Sequence, residues 1–180
     1  YMKNIPDIKR IPDADDLKKL MGLPMDVILE RLFPYFGDER RKVLLEETKV
    51  AEQNYIRKNG GALFDGVEEI LNMLSNKYKL FIVSNCQPGY IESFLYYYKL
   101  EKYFCDFECI GNTGMPKGRN IKTVIERNSF ESAAYVGDTQ GDCDAAAEAG
   151  VPFIFAAYGF GNAEGNIYRK VNSFKELARL

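Results

Sequence analysis

Two kinds of apolar spacing divide the chain. Up to about Gly61 the apolar residues recur at helical intervals, with Val43, Leu44, Val50, Ala51 and Tyr55 on one face and charged residues elsewhere. Pro24 and Pro34 punctuate this stretch, and Asn59-Gly60-Gly61 marks a flexible boundary. Residues 1–61 are therefore expected to form a small all-helical unit, with residues 62–180 forming a second unit of alternating helices and strands.

From Leu63 the pattern alternates between helical periodicity and short apolar runs. Asp65 and Glu68 read as a capping pair for a helix that turns Val67, Ile70, Leu71 and Leu74 inward. Leu80–Val83, Phe107–Ile110, Ala133–Val136 and Phe153–Ala156 are buried-strand candidates separated by helix-length segments. This rhythm predicts an α/β fold with a Rossmann-like parallel sheet. Ser173 with Glu176 predicts the cap of a final short helix.

Composition narrows the function. The 24 basic and 26 acidic residues nearly cancel and form no basic stripe, so nucleic acid is not an expected partner. No apolar run reaches transmembrane length, and Tyr1–Arg10 lacks the apolar centre of a signal peptide. A cytoplasmic protein with no membrane partner is expected, as a monomer or homodimer. Histidine is absent, which removes Ser–His–Asp and Cys–His chemistry and every His-ligated metal site. Cys86, Cys105, Cys109 and Cys143 lack zinc-ribbon spacing and read as reduced, structural thiols.

The most informative block is YVGDTQGDCDAAAEAG, residues 135–150. It places Asp138 and Asp142 where an apolar strand meets an Ala-rich helix ended by Gly150. The carboxyl end of a strand is where open α/β sheets bind ligands. Hard oxygen ligands without His or Cys suit Mg²⁺, which takes one or two carboxylates and completes its shell with water and phosphate. The plainer alternative makes Asp138 a helix cap. A second signal is LFIVSN, where the Ser84 hydroxyl and the following backbone N–H groups, beginning with Asn85, could hold a phosphoryl oxygen. Lys117, just before the helix bearing Ile121, Val124 and Ile125, is the third.

Taken in order, Ser84, Lys117 and the Asp138–Asp142 pair resemble motifs II, III and IV of the haloacid dehalogenase superfamily, most closely its phosphoglycolate-phosphatase-like branch. The resemblance spans roughly Leu63–Gly161 and includes the trailing Tyr158-Gly159-Phe160-Gly161. It implies a Mg²⁺-dependent phosphatase of a small phosphorylated metabolite. Ser84 and Asn85 would bind the transferring phosphoryl group and Lys117 would neutralise its charge. Asp138 would ligate Mg²⁺, and Asp142 would ligate it too or orient Lys117. The helical segment would be a cap, with Gly22-Leu23-Pro24 resembling the turn that approaches the active site.

One motif of the resemblance is missing. Relatives carry a strand ending in DxDxT, whose first Asp attacks phosphorus and whose second is the general acid and base. Asp13-Ala14-Asp15 matches in letters only, since no apolar strand precedes it and it reads as a helix start. In the family that strand lies between the Ser84 strand and the Ala133–Val136 strand, so its loss leaves two unpaired edges facing a void. Tyr1–Ile5 could be its remnant, stopped by Pro6. The preferred reading makes Tyr1–Asn4 the end of a first cap helix, with about 25 to 35 motif-bearing residues upstream. The chain as given is then expected to be inactive. The competing reading is a non-catalytic or regulatory homologue that keeps the phosphate and metal pocket.

Overall fold

The computed structural model describes residues 2–180. Met2–Asn4 forms a 3-10 turn, and Tyr1 of the expected helix end lies outside the described residues. Helix α1 (Ala14–Lys18) starts at Asp13, whose carboxylate accepts the Asp15 and Asp16 N–H groups while Asp16 reaches back to the Asp13 N–H. This reciprocal cap fixes Asp13-Ala14-Asp15 as a helix start. Helices α2 (Met25–Leu32) and α3 (Asp38–Asn59) close around Leu29, Phe33, Phe36 and Leu44.

The inner face of α3 differs from the one expected. Leu44 is buried, but Val43, Val50 and Tyr55 are exposed. The covered stripe instead takes in Leu44, Leu45, Thr48, Glu52 and Ile56. Val43 precedes the stripe position Leu44 by one residue and Val50 precedes Glu52 by two, which rotates them about 100° and about 200° around the axis. Apolar residues on both faces of α3 make the inner one ambiguous from sequence.

Gly60 ends α3 with φ +64°, where the ring of Tyr97 leaves no room for a Cβ. The Tyr98 hydroxyl accepts the Gly61 N–H at 2.7 Å and donates to the Gly61 carbonyl at 2.5 Å. The Gly-Gly link is thus gripped by α5 (Tyr90–Tyr98), the helix against which the carboxyl half of α3 also packs.

The alternating part begins with α4 (Val67–Ser75), which buries Ile70, Leu71 and Leu74. Asp65 and Glu68 do not cap it. Gly66, in the left-handed conformation at φ +77°, occupies the cap position without a side-chain hydrogen bond, and Asp65 lies 3.6 Å from Lys175. After α4 come β1 (Leu80–Ser84), α5 and β2 (Phe104–Cys109). Strand β2 starts earlier than expected and ends before Ile110, which opens the short helix α6 (Ile110–Thr113). Helix α7 (Lys117–Arg127), β3 (Tyr135–Gly137), α8 (Gln140–Ala149) and β4 (Phe153–Ala156) follow.

Two elements at the end were not read correctly from sequence. Strand β5 (Ile167–Val171) was missed because Arg169 and Lys170 interrupt its apolar pattern, as suits a solvent-facing edge. The final helix is a 3-10 segment, Phe174–Arg179, whose Ser173 makes no side-chain cap bond. Glu176 does accept the Asn172 N–H at 3.0 Å.

All strand pairings are parallel, in two separate sheets among the described residues: β1–β2, and β3–β4–β5. Between β1 and β3 no ladder forms. Every β1 residue is only half-buried and Val136 is 39% exposed, whereas β4 is buried throughout. Two strands expected to be central and covered therefore each keep an unpaired edge. The Tyr135 side chain spans the gap, donating its hydroxyl to the Val83 carbonyl at 2.8 Å.

Candidate active site

Helix α8 organises the site through its first turn. Thr139 is the N-cap, accepting the Asp142 N–H on its hydroxyl at 3.2 Å. Asp142 returns the favour through Oδ2, which accepts from the Thr139 N–H at 3.1 Å, the Asp138 N–H at 3.1 Å and the Thr139 hydroxyl at 2.8 Å. A T-x-x-D pattern before an Ala-rich run is a capping box, so Thr139 was legible in sequence as a partner of Asp142. At the far end, Gly150 closes the helix with φ +75°.

The other Asp142 oxygen, Oδ1, lies 2.6 Å from Lys117 Nζ. Lys117 opens α7 directly after Pro116, the α7 N-cap. Burial pushes the Asp142 carboxyl up, but the Lys117 charge and the hydrogen bonds from Lys117 and Thr139 outweigh it and hold the group below its usual value. Both Asp142 oxygens are thus engaged by the protein's own donors. The orienting role fits this geometry directly.

Asp138 presents the freer carboxylate. Its Oδ2 accepts the Phe160 N–H at 2.7 Å, and Oδ1 has no protein donor among the described residues. Gly159 lies so close that a Cβ there would overlap the Asp138 Cβ. The Tyr158-Gly159-Phe160-Gly161 loop therefore shapes the Asp138 side of the site. Next to it, burial followed by the Asp138 charge pushes the Tyr158 hydroxyl up to about 12.

On the β1 side, the Ser84 hydroxyl accepts the Cys86 N–H at 3.3 Å. Asn85 sends its side-chain amide to the Gly22 carbonyl at 2.8 Å, and its Oδ1 is buried without a partner. Tyr135, which sequence reading overlooked, joins the two sides: its hydroxyl reaches Val83 and lies 3.5 Å from Asp142 Oδ1. Burial, followed by the Asp142 charge, pushes this hydroxyl well above its usual value. Ser84 and Lys117 are therefore linked through Val83, Tyr135 and Asp142. Cys86, also close by, is pushed up to about 12 by burial, which disfavours the reactive thiolate.

Among the described residues no cluster of three or more His, Cys, Asp or Glu could hold a metal. Asp138 nevertheless fits, because Mg²⁺ needs only one or two carboxylates beside water and phosphate.

An alternating α/β chain with acids, a lysine and a serine at the carboxyl ends of parallel strands is a Rossmann-like protein of the haloacid dehalogenase type. The sequence profile of the haloacid dehalogenase-like hydrolase family matches residues 6–156, and the chain belongs to that family. A comparison with curated proteins finds no match. Among solved structures, the chain resembles a predicted phosphatase from Clostridium acetobutylicum with 24% identity and a TM-score of 0.80, covering 99% of this chain and 86% of that one. A predicted phosphoglycolate phosphatase from Haemophilus somnus aligns at 17% identity and a TM-score of 0.80, covering 96% and 84% of the two chains. CbbY from Rhodobacter sphaeroides, in complex with phosphate, aligns at 15% identity and a TM-score of 0.71, covering 94% and 82%. These likenesses establish the fold. No helix of the described residues is long and apolar enough to cross a membrane.

Proposed function

We propose that the protein is a Mg²⁺-dependent phosphatase acting on a small, phosphoglycolate-like phosphomonoester through an aspartyl-phosphate. The observation that carries this reading is the buried Lys117–Asp142 pair beside the partly unpaired carboxylate of Asp138. Phosphoryl transfer asks the protein chiefly for positioning and charge neutralisation. Lys117, held by Asp142, would neutralise the phosphoryl group. The Ser84 hydroxyl and the Asn85 backbone N–H would take its oxygens. Asp138 would hold Mg²⁺, with Asp142 behind it, and the bound ion would offset the negative charge of the phosphoryl oxygens.

In this reading the attacking aspartate lies on a DxDxT strand outside residues 1–180. That strand would pair with the free edges of β1 and β3, replacing two exposed ladders with complete ones. The half-buried β1 and the exposed Val136 support it. Residues 1–61 would act as a cap that excludes water over residues 62–180, and the contact of Gly22 with Asn85 supports that role. The names of the structural neighbours, phosphatases in two cases and a phosphate complex in a third, agree with a phosphate ester as substrate. All four cysteines are free thiols, which suits a cytoplasmic metabolite and setting.

Hydrolysis of p-nitrophenyl phosphate and phosphoglycolate with Mg²⁺ tests the reading, measured on residues 1–180 and on the chain extended by an upstream DxDxT segment. Turnover by the extended chain alone is the expected result. Phosphate binding with no turnover by either form would instead establish a non-catalytic, phosphate-binding homologue.

A further inference from the structure

The carboxyl half of α3 is fastened along α5 by residues on one helix face. Gln53, Arg57 and Gly60-Gly61 recur three to four positions apart, which brings them to the same side. The Arg57 guanidinium sits 4.3 Å over the Tyr96 ring, while Tyr97 and Tyr98 hold Gly60 and Gly61. Gln53, the first of this row, reaches beyond α5 to the loop that precedes it. There its side chain meets the Pro88 carbonyl, which can only accept, so the group facing it is the NH₂. A Cβ at Gly89 would lie 2.9 Å from the same nitrogen, and Gly89 itself adopts φ +83°.

The loop is held from its other side by α6. A Cβ at Gly111 would overlap Pro88 Cδ and lie 2.6 Å from the Pro88 nitrogen, so only glycine lets α6 come this close. The Gly111 N–H donates to the Cys86 carbonyl at 3.1 Å, and the Cys86 N–H donates to the Ser84 hydroxyl at 3.3 Å. Cys86 thus ties the direction of the Ser84 hydroxyl to Gly111. Pro88 and Gly89, two and three residues further on, are closed between Gly111 and Gln53. Of these supports only Gln53 comes from residues 1–61.

We propose that Gln53 is a positioning residue for phosphate binding, clamping Pro88 and Gly89 against Gly111 so that the Ser84 hydroxyl and the loop N–H groups stay aimed at the phosphoryl oxygens. The proposal rests on the phosphatase reading and extends it to a residue that does not touch phosphate. A loop held in its binding conformation has less freedom to lose when the anion arrives, so affinity for phosphate reports how firmly it is held. By linkage, bound phosphate tightens the clamp in return.

Titration of the isotopically labelled chain with inorganic phosphate and Mg²⁺, followed by NMR, tests this. In the parent, phosphate should slow hydrogen exchange of the Gly111 amide about fivefold. The Gly114 amide, which donates to the Ile110 carbonyl at 2.7 Å at the end of α6, serves as the unchanged reference. Gln53→Met keeps the side-chain length without the donor, and it should weaken phosphate about fivefold, the worth of one hydrogen bond. Tyr96→Leu loosens the same helix pair away from the loop and should keep the parent's affinity, whereas a merely structural role for Gln53 would make the two variants alike. Gly111 exchange indifferent to bound phosphate in the parent would overturn the proposal without any variant. Parent-like affinity in Gln53→Met, or equal losses in the two variants, would overturn it as well. A parent that binds no phosphate would instead remove the phosphatase reading, and this proposal with it.

Discussion

Lys117 Nζ and Asp142 Oδ1 stand 2.6 Å apart on side chains that are only 11% and 5% exposed, although 25 positions separate them in the chain. Neither residue gains from burial alone, since taking a charge out of water is costly unless it is paired and hydrogen-bonded. Their helix positions differ as well. Asp142 sits in the first turn of α8, where backbone N–H groups favour a negative charge, while Lys117 begins α7, where the same dipole opposes a positive one. Asp142 therefore holds Lys117 in place rather than the reverse.

Removing the lysine should expose this dependence. Lys117→Met leaves a buried carboxylate without its cation and should destabilise the protein by about 3 kcal/mol at neutral pH. In the parent, Asp142 is held below its usual 3.8, so its contribution is full above that value and lost as pH falls through the lower folded value. In the variant burial acts without Lys117 and raises the group, so its destabilising effect is relieved as pH falls. Urea unfolding should show a gap between parent and variant that narrows toward about pH 4. A gap independent of pH would refute the account.

Asp138 should dominate Mg²⁺ binding, because it alone of the two acids retains an oxygen without a protein donor. Asp138→Asn should weaken Mg²⁺ at least about tenfold by calorimetry. Gly159→Ala should do the same while leaving the charge in place, since its Cβ would overlap the Asp138 Cβ and push the carboxylate aside. Parent-like Mg²⁺ affinity in both variants would remove Asp138 from the metal site.

Tyr135 should behave as a tie between the two sheets. Tyr135→Phe loses the hydroxyl that reaches Val83 at 2.8 Å and should cost about 1 kcal/mol in urea unfolding. Because the folded hydroxyl is raised well above 10.0, its contribution is full below that value and lost as pH rises through the folded one. The parent and Tyr135→Phe should therefore keep a constant gap from neutral pH to the onset of tyrosine ionisation. A gap that closes earlier would contradict the assignment.

What could be read in advance followed the reach of each signal. Asp13 and Gly150 act on neighbours within four residues, so their types announce helix ends directly, whereas the cap of α8 falls on Thr139, one residue after the Asp138 that the sequence offered. Asp65 misled because the left-handed Gly66 took over the cap, and a glycine's φ leaves no mark on periodicity. In β5, Arg169 and Lys170 hide an edge strand inside a charged run. The site was legible as residue types at strand ends but not as pairings. Lys117 with Asp142 and Asn85 with Gly22 are joined only by tertiary packing across 25 and 63 positions.

The last prediction concerns chemistry within residues 1–180. Asp13 is spent on capping α1, Asp142 on Lys117, and Asp138 follows β3 against the Phe160 N–H. None is placed as a free nucleophile between Ser84 and Lys117. The 180-residue chain should therefore show no measurable Mg²⁺-dependent hydrolysis of p-nitrophenyl phosphate, because an electrostatic site can stabilise charge but cannot form the phosphorus–oxygen bond. Extension by a DxDxT strand should raise turnover at least about a thousandfold, and substituting its first Asp should abolish the gain. Robust turnover by residues 1–180 alone would mean that a different group attacks phosphorus, and the aspartyl-phosphate mechanism would be wrong.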